Sequence, residues 1–321
     1  MGLRTLTWIG IALVAAAAAC SAPASRAVFR PSVPAQPTSV RVQFVEDGRT
    51  VVASVPLERY VEATILSEFA PAAGDVESVE RMYEVQAVIS RTYAIANLGR
   101  HAADGFDLCS TTHCQLYQPG RLQMSRWAPS AAEAVRKTEA AVLWYGSAPA
   151  SALFHADCGG HTSSDADVWG GIAHPYLAGA SDDGPASGAH AAWRFETSVA
   201  EAVRALDADP RTRIGGRLDR IEVLDRDAAG RAERVAVRGP ETRMVRGEEL
   251  RQALSRAFGE RSIRSTRFEV RRERDRLVFE GRGFGHGVGL CQAGALARIR
   301  AGESVAAVLR HYFPGTDLVG Q

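Results

Sequence analysis

Glu68 is the residue whose type and position best suit acid–base chemistry. It ends a helical pattern, just before a loop that contains Pro71 and Gly74. A carboxyl group at the C-terminal end of a helix faces the negative end of the helix dipole, which disfavours its charged form. We therefore expect the pKa of Glu68 to lie above its usual value, as a general acid requires. Since most glutamates are solvated surface residues, the assignment depends on what surrounds Glu68.

A second group of residues has the types that bind metals. His101, Cys109, His113 and Cys114 lie close together in a polar, loop-like stretch. Zinc readily takes thiolate and imidazole ligands, although Cys-x₄-Cys is wider than the usual Cys-x₂-Cys spacing. The pattern favours zinc, with a Cys109–Cys114 disulfide or free thiols as the alternatives.

A third group lies in the stretch His155-Ala-Asp-Cys-Gly-Gly-His161. Gly159 and Gly160 permit positive φ or a close backbone approach. The two histidines are candidates for metal ligands, for sugar contacts or for ordinary polar surface. Trp169 extends a candidate saccharide surface, because an exposed indole can stack on a pyranose ring.

The stretch from 281 to 294 is rich in glycine and contains His286 between two glycines. Its glycines do not fit the G-x-G-x-x-G spacing of dinucleotide sites. A predicted helix follows, so N–H groups at its start can face a ligand oxygen. We favour a binding loop over a tight turn with an incidental histidine.

The elements that must position these residues begin with a hairpin over 39–55 and a helix that opens at Pro56. A second helix, from about 76 to 98, carries Arg91 close to its apolar face. A partly buried arginine needs a carboxylate, and Glu68 is an available one; the alternative is an arginine that reaches solvent. Glu58 and Glu62 lie off the apolar face of the first helix and are expected to be solvated charges.

The rest of the chain indicates an α+β fold of mixed helices and antiparallel strands over residues 39–318, two-lobed with a groove. A smaller α+β insertion spans about 196–260, and strands near 266–280 return to the main domain. Helices are predicted over 291–301 and 304–312. The formal net charge of +1 does not indicate binding to nucleic acids, which favours a clearly basic protein.

Residues 1–20 read as a secretory signal, because the apolar run 8–19 follows Arg4 and is too short to span a bilayer. Cys20 then resembles a lipoprotein cleavage site, with simple cleavage and no anchor as the alternative. Residues 21–38 are predicted to be a flexible tether. We expect an exported protein of the periplasm or cell envelope, in contact with a membrane only through a lipid anchor.

Together these stretches resemble the stage II sporulation protein D family, also called the SpoIID/LytB domain, over most of residues 40–318. The segments that carry the resemblance are Glu68 before its Pro-containing loop, Gln86-Ala-Val88, Arg91-Thr-Tyr-Ala94, Cys114-Gln-Leu-Tyr117, Gly159-Gly160, Val168-Trp169, Gly285-His-Gly-Val-Gly289, Gln292-Ala-Gly-Ala295 and Tyr312-Phe-Pro-Gly-Thr316.

The resemblance implies a peptidoglycan lytic transglycosylase, which cleaves between N-acetylmuramic acid and N-acetylglucosamine without water and leaves a 1,6-anhydro end. It implies a preference for glycan strands stripped of peptides by an amidase. The family's catalytic acid maps onto Glu68, and a structural zinc ion maps onto His101, Cys109 and Cys114. The residues expected to contact or position the glycan are Arg91, Tyr93, Gln115, Tyr117, Gly159, Gly160, Trp169, His286 and Gln292.

The sequence departs from the family pattern at several positions. Phe69-Ala70-Pro71 replaces a common Met-Pro, residues 72–79 lack the usual Trp, Cys291 replaces a common Ser, and Ala293 replaces a common aromatic residue. Two other functions therefore stay open: a non-catalytic wall-binding protein or enhancer of a partner amidase, and a zinc hydrolase that uses the Cys/His cluster.

Overall fold

The computed structural model describes residues 1–2, 36–71, 74–182 and 190–320. Residues 33–321 form one compact unit, and the description below concerns that unit. The predicted signal peptide, the lipidation at Cys20 and most of the tether lie outside the described residues. Within the described parts of the chain, no helix is long and apolar enough to cross a membrane.

The predicted α+β class is confirmed. The helices are α1 (Leu57–Glu68), α2 (Val76–Ala96), α3 (Arg121–Met124), α4 (Ala128–Lys137), α5 (Asp165–Trp169), α6 (Val199–Asp207), α7 (Gly247–Phe258), α8 (Gln292–Arg300) and α9 (Val305–Tyr312). The strands are β1 (Ser39–Glu46), β2 (Arg49–Pro56), β3 (Leu108–Cys109), β4 (Val142–Tyr145), β5 (Ala148–Pro149), β6 (Phe154–His155), β7 (Trp193–Ser198), β8 (Arg220–Arg226), β9 (Ala232–Arg238), β10 (Thr242–Arg246), β11 (Phe268–Glu273), β12 (Arg276–Gly281), β13 (Leu290–Cys291) and β14 (Asp317–Val319).

The predicted N-terminal hairpin and the helix after it are present. β1 and β2 pair along their whole lengths, and β3 adds to β1 in parallel. Asp47 and Gly48 at the turn both have positive φ, as a two-residue hairpin loop with the favoured twist requires. Pro56 caps α1, where its missing N–H leaves no helix hydrogen bond unmade. This arrangement fixes where α1 begins, and Glu68 is the last residue of that helix.

Helix α2 lies between two hydrophobic clusters and is buried on most sides. Tyr83 and Ala87 face the first cluster, which also contains β1, α1 and α4. Val85 and Val88 face the second, which contains β4, β13, α8 and α9. A helix that is apolar around most of its circumference is a buried one. Phe69, the residue after Glu68, packs against both clusters, so the end of α1 lies where they meet.

A third hydrophobic cluster is built from residues between Trp193 and Phe279. It contains the sheets β11-β12-β7 and β10-β9-β8 together with α6 and α7. The strands near 266–280 were expected to return to the main domain, and this expectation is wrong. They pair with β7 instead, with Phe279 opposite Phe195, because Phe268 and Phe279 bury their rings in this cluster.

A short parallel pairing brings the His155 loop beside the start of α8. In it, Phe154 lies opposite Leu290, and His155 lies opposite Cys291. An isolated bridge between Asp157 and Phe284 extends the contact between the two loops. Two motifs more than 120 positions apart are thus held side by side.

Candidate active site

Glu68 is the last residue of α1, and its side chain is half-buried. The backbone N–H of Leu116 donates a hydrogen bond of 2.6 Å to its Oε1. Burial raises the pKa of Glu68 to about 7, and the Leu116 hydrogen bond opposes part of this shift. The direction agrees with the sequence-based expectation, and the largest cause is desolvation of the carboxyl group. At neutral pH a large fraction of Glu68 therefore carries a proton.

The residues after the Cys/His cluster hold the C-terminal end of α1 in place. Besides the Leu116 contact, the N–H of Gln118 donates to Ser67 Oγ at 3.1 Å. The Tyr60 hydroxyl donates to Gln115 Oε1 at 3.0 Å, which leaves the buried Nε2 of Gln115 without a partner in the described structure. This segment, residues 115–118, orients the catalytic candidate through backbone contacts.

Tyr117 and Tyr93 lie around the same helix end and are both nearly buried. The Tyr117 ring stacks on Tyr60, with ring centroids 5.3 Å apart. Burial raises the pKa of Tyr93 to about 12, and the charges of Cys114 and Glu68 add to the shift. Tyr93 is therefore a neutral hydroxyl in the vicinity of both the carboxyl group and the thiols.

Gln292, the first residue of α8, contacts the backbone of Glu68. Its Nε2 lies 3.4 Å from the backbone carbonyl oxygen of Glu68 and 3.1 Å from Gln86 Oε1. The Nε2 of Gln86 in turn donates to Ser90 Oγ at 3.3 Å. A buried chain of amide groups thus joins α2, α8 and the end of α1, and buried polar groups satisfied in this way fix one arrangement.

Arg91 does not contact Glu68, contrary to the partner suggested by the sequence. Its guanidinium is fully buried and binds Glu58 through two hydrogen bonds, of 2.9 and 2.6 Å, and Ala141 O through a third of 3.1 Å. Glu58 is accordingly an ion-pair partner and not a merely solvated charge. Glu62 is likewise nearly buried and pairs with Arg59 at 2.6 Å. Through Glu58, Arg91 stabilises the packing of α1 on α2. Arg91 makes no direct contact with the carboxyl group of Glu68.

The Cys/His cluster is assembled as a compact set of four ligands. The Sγ of Cys114 lies 3.4 Å from His101 Nε2 and 3.8 Å from His113 Nδ1, and Cys109 Sγ lies 3.7 Å from the same His113 nitrogen. All four ligand atoms lie within 4.8 Å of one another, and both thiols are free. Two thiols and two imidazoles in this arrangement fit a tetrahedral zinc site. These are the four residues that the sequence grouped together, and they include His113, which the set implied by the family resemblance lacks.

The predicted residues Trp169, His286 and His155 form an aromatic surface. Trp169 ends α5 with 41% of its surface exposed, and its ring centroid lies 5.2 Å from that of His286. His286 lies 5.5 Å from His155 and accepts a hydrogen bond of 3.0 Å from Val288 N–H at Nδ1. Burial lowers the pKa of His286 to about 4, so the ring is neutral at physiological pH.

Gly159 and Gly160 have φ of 73° and 113°, which explains why glycine occupies both positions. Gly159 O accepts a hydrogen bond from the Arg267 guanidinium, which fixes the loop against the third cluster. In the described structure, no hydrogen bond joins this loop, Trp169 or His286 to Glu68.

Comparison with known proteins identifies the part of the chain that contains Glu68. Residues 45–145 match the profile of the stage II sporulation protein family, SpoIID. This segment is a SpoIID domain. The match contains Glu68, Leu116 and the whole Cys/His cluster, and it confirms the resemblance drawn from the sequence motifs. Residues 189–289, which include every residue of the third cluster, match a domain of unknown function, DUF8618.

Relatives of the SpoIID domain extend the similarity over most of the chain. The stage II sporulation protein D of Bacillus subtilis is 25% identical over 299 residues, which cover 88% of this chain and 80% of that protein. An uncharacterized protein of Brachyspira hyodysenteriae is 28% identical over 279 residues, which cover 85% of this chain and 69% of that protein. The amidase enhancer of Bacillus subtilis is 24% identical over 77% of this chain but only 39% of its own length.

Several residues of the site could not be selected from the sequence. Leu116 contributes only its backbone N–H, which no residue type reveals. Gln86 could have been recognised in the sequence, because a glutamine within the apolar pattern of α2 must be hydrogen-bonded when it is buried. The proximity of Cys158 to Cys291 depends on the pairing of β6 with β13, and neither stretch predicts that pairing alone.

Proposed function

We propose that this protein is an exported peptidoglycan lytic transglycosylase of the cell envelope, with Glu68 as its single acid and base. The SpoIID domain and the similarity to an amidase enhancer support a role at the cell wall. The observation that carries the finer proposal is the carboxyl group of Glu68, whose pKa burial raises to about 7 while Leu116 holds one of its oxygens. A carboxyl group with this pKa can both donate and accept a proton near neutral pH.

The hydrogen bond from Leu116 assigns separate roles to the two oxygens of Glu68. An N–H donor is best accepted by the carbonyl oxygen of a carboxylic acid, so the proton resides on Oε2. Glu68 gives this proton to the oxygen between N-acetylmuramic acid and N-acetylglucosamine as the C1–O bond of the muramyl residue breaks. The resulting carboxylate then takes the proton of the C6 hydroxyl while O6 bonds to C1. The proton returns to Glu68, the product is a 1,6-anhydro sugar, and no water is consumed.

One carboxyl group suffices for this reaction, whereas ordinary glycosidases need two. Burial and the Leu116 hydrogen bond account for the pKa of Glu68, without a contribution from a second carboxylate. The intramolecular C6 hydroxyl replaces the water or the second carboxylate, and its attachment to the sugar supplies the proximity. Gln292 stabilises the backbone at Glu68 and thereby keeps the carboxyl group in position.

The aromatic surface at Trp169 and His286 offers a place for a sugar ring outside the Glu68 site. The preferred substrate is glycan stripped of peptides by an N-acetylmuramoyl-L-alanine amidase, which makes that enzyme the expected partner. Zinc would be held by His101, Cys109, His113 and Cys114, where it links the segment before Leu116 to β3. The ion would stabilise that segment, and Glu68 carries out both proton transfers.

The test is mass spectrometry of soluble products from purified sacculi, with and without prior amidase treatment. We expect anhydro-muramyl products from the amidase-treated wall, and a loss of 10²- to 10⁴-fold, on the order of a lost general acid, in Glu68→Gln. Glu62→Gln on the same helix is the matched control and should keep its activity. Anhydro products from a folded Glu68→Gln variant at the wild-type rate would exclude the assignment.

The same experiment separates the two other functions. An amidase enhancer, which the similarity to the Bacillus subtilis protein favours as second candidate, binds sacculi and speeds the amidase but releases no anhydro products. A zinc hydrolase loses turnover with a chelator and keeps it in Glu68→Gln. The transglycosylase keeps its chemistry in the chelator as long as the chain stays folded.

A further inference from the structure

A second group of metal-ligand side chains lies outside the Cys/His cluster of the SpoIID domain. A ring nitrogen of His155 and the Sγ atoms of Cys158 and Cys291 lie within 4.8 Å of one another. The three residues are 4%, 2% and 1% exposed. The β6–β13 pairing sets His155 opposite Cys291, and the Cys158 N–H donates to Cys291 Sγ at 3.2 Å. The fold thus brings two thiols and an imidazole together in the interior.

His155 is prepared to act as a ligand. Its Nδ1 lies 3.2 Å from the carbonyl oxygen of Val288, which can only accept, so the ring proton resides on Nδ1. Nε2 then carries a lone pair, and this buried atom has no hydrogen-bond partner in the described structure. A metal-binding histidine commonly donates its other N–H to a backbone carbonyl in this way. An unpartnered buried nitrogen costs free energy that a bound cation would recover.

Buried polar side chains also lie next to the two thiols. Arg231 is fully buried and donates to Cys158 O at 3.0 Å. Asp182 Oδ2 accepts from the Cys158 thiol at 3.4 Å, and Arg298 lies 3.6 Å from the other oxygen of that carboxylate. The Asp182 carboxylate is thus held beside the Cys158 thiol, where its oxygen can serve as a further ligand.

We propose that His155, Cys158 and Cys291 form a second, buried zinc site, with Asp182 next to its fourth position. Two thiolates and one imidazole are a ligand set that selects Zn²⁺ over Mg²⁺ or Ca²⁺. Binding releases the two thiol protons to solvent, because only the thiolates coordinate. The ion would join the His155 loop to the start of α8, immediately before Gln292. The inference rests on the cluster itself and is independent of the proposed reaction.

The test is the zinc content of the purified full chain, measured by elemental mass spectrometry. Wild type should hold about two zinc ions per chain, and Cys291→Ser should hold about one. A Cys109→Ser/Cys114→Ser variant leaves the second cluster intact and should also hold about one. In this double variant Co²⁺ should give the near-ultraviolet thiolate-to-metal absorption band, and an added Cys291→Ser change should abolish it.

Two results would overturn the proposal. One is a wild-type chain that holds one zinc ion, all of it lost in the folded Cys109→Ser/Cys114→Ser variant. The other is a peptide map that shows a Cys158–Cys291 disulfide in the purified protein. If either set of substitutions prevents folding, the stoichiometry and thiol state of the wild-type protein still decide between one site and two.

Discussion

The backbone N–H of Leu116 donates a 2.6 Å hydrogen bond to Oε1 of Glu68, across 48 positions of the chain. The contact joins the end of α1 to the segment that follows the Cys/His cluster. It favours the charged carboxylate, yet burial outweighs it and raises the pKa of Glu68 to about 7. The same hydrogen bond fixes the orientation of the carboxyl group, so this contact sets the geometry of the proposed acid and burial sets its protonation state.

The pH dependence of turnover should follow the protonation of Glu68. The acid form is required, so the kcat for amidase-treated glycan should fall about tenfold per pH unit above about 7, the pKa of Glu68. Burial lowers the pKa values of His155 and His286, so both histidines are neutral in this range and cannot cause this decrease in kcat. Release of anhydro product from pH 5 to 9 measures it. A decrease in kcat that already begins near pH 4.5 would show that the carboxyl group is not desolvated during turnover.

Protein stability should report the same carboxyl group without any substrate. The pKa of Glu68 rises from 4.5 to about 7 on folding, so the unfolded chain loses this proton first and stability falls as pH rises between these values. Glu68→Gln removes the effect. The variant should be more stable than wild type by roughly 2 to 3 kcal/mol at pH 8 and nearly equal at pH 4.5.

Urea unfolding at the two pH values measures this difference. Glu77→Gln, at the exposed start of α2, is the matched control and should follow the wild-type pH profile. Equal stability of Glu68→Gln and wild type at both pH values would mean that the carboxyl group remains hydrated in the folded protein.

The local part of this site could be predicted from the sequence. Glu68 at a helix end and His101, Cys109 and Cys114 within a short stretch are set by neighbours along the chain, and the fold keeps them there. His113 belongs to the same stretch. Its membership of the ligand set depends on the path of the loop, which residue types alone do not determine.

The contacts between distant elements could not be predicted in this way. Arg91 meets Glu58 rather than Glu68 because the packing of α1 on α2 places the start of α1, and not its end, beside the guanidinium. Periodicity shows which face of each helix is buried but not how one helix is shifted along the other. The strands near 266–280 illustrate the same limit, because the partner of an alternating strand is decided by the sheet and not by the strand.

The Arg91–Glu58 pair should matter for stability and not for chemistry. Arg91 is fully buried, so Glu58→Gln leaves its guanidinium without an anion and should cost about 2 to 4 kcal/mol. Replacing both residues, with Arg91→Met in addition, should recover much of this loss. The exposed Glu133–Arg136 pair supplies the control, and Glu133→Gln should have little effect.

Urea unfolding gives the stabilities of these variants, and the release of anhydro product at a temperature where all are folded gives their activities. A Glu58→Gln variant with wild-type stability and lost turnover would place Arg91 in the reaction instead of in the packing of α1 on α2.

Trp169 provides the most direct test of the aromatic surface as a sugar-binding site. Its indole is 41% exposed beside the neutral ring of His286, and no hydrogen bond in the described structure ties it to Glu68. Trp169→Ala should therefore raise KM for amidase-treated glycan by about tenfold, on the order of 1 to 2 kcal/mol of lost apolar contact, with kcat nearly unchanged. Trp169→Phe should recover part of the affinity, because a smaller aromatic ring still offers a flat apolar face. Ile172→Ala is the control, since Ile172 is an exposed apolar residue three positions away. If KM stays at the wild-type value in Trp169→Ala, the glycan does not pass over this surface and the residues around Glu68 bind it alone.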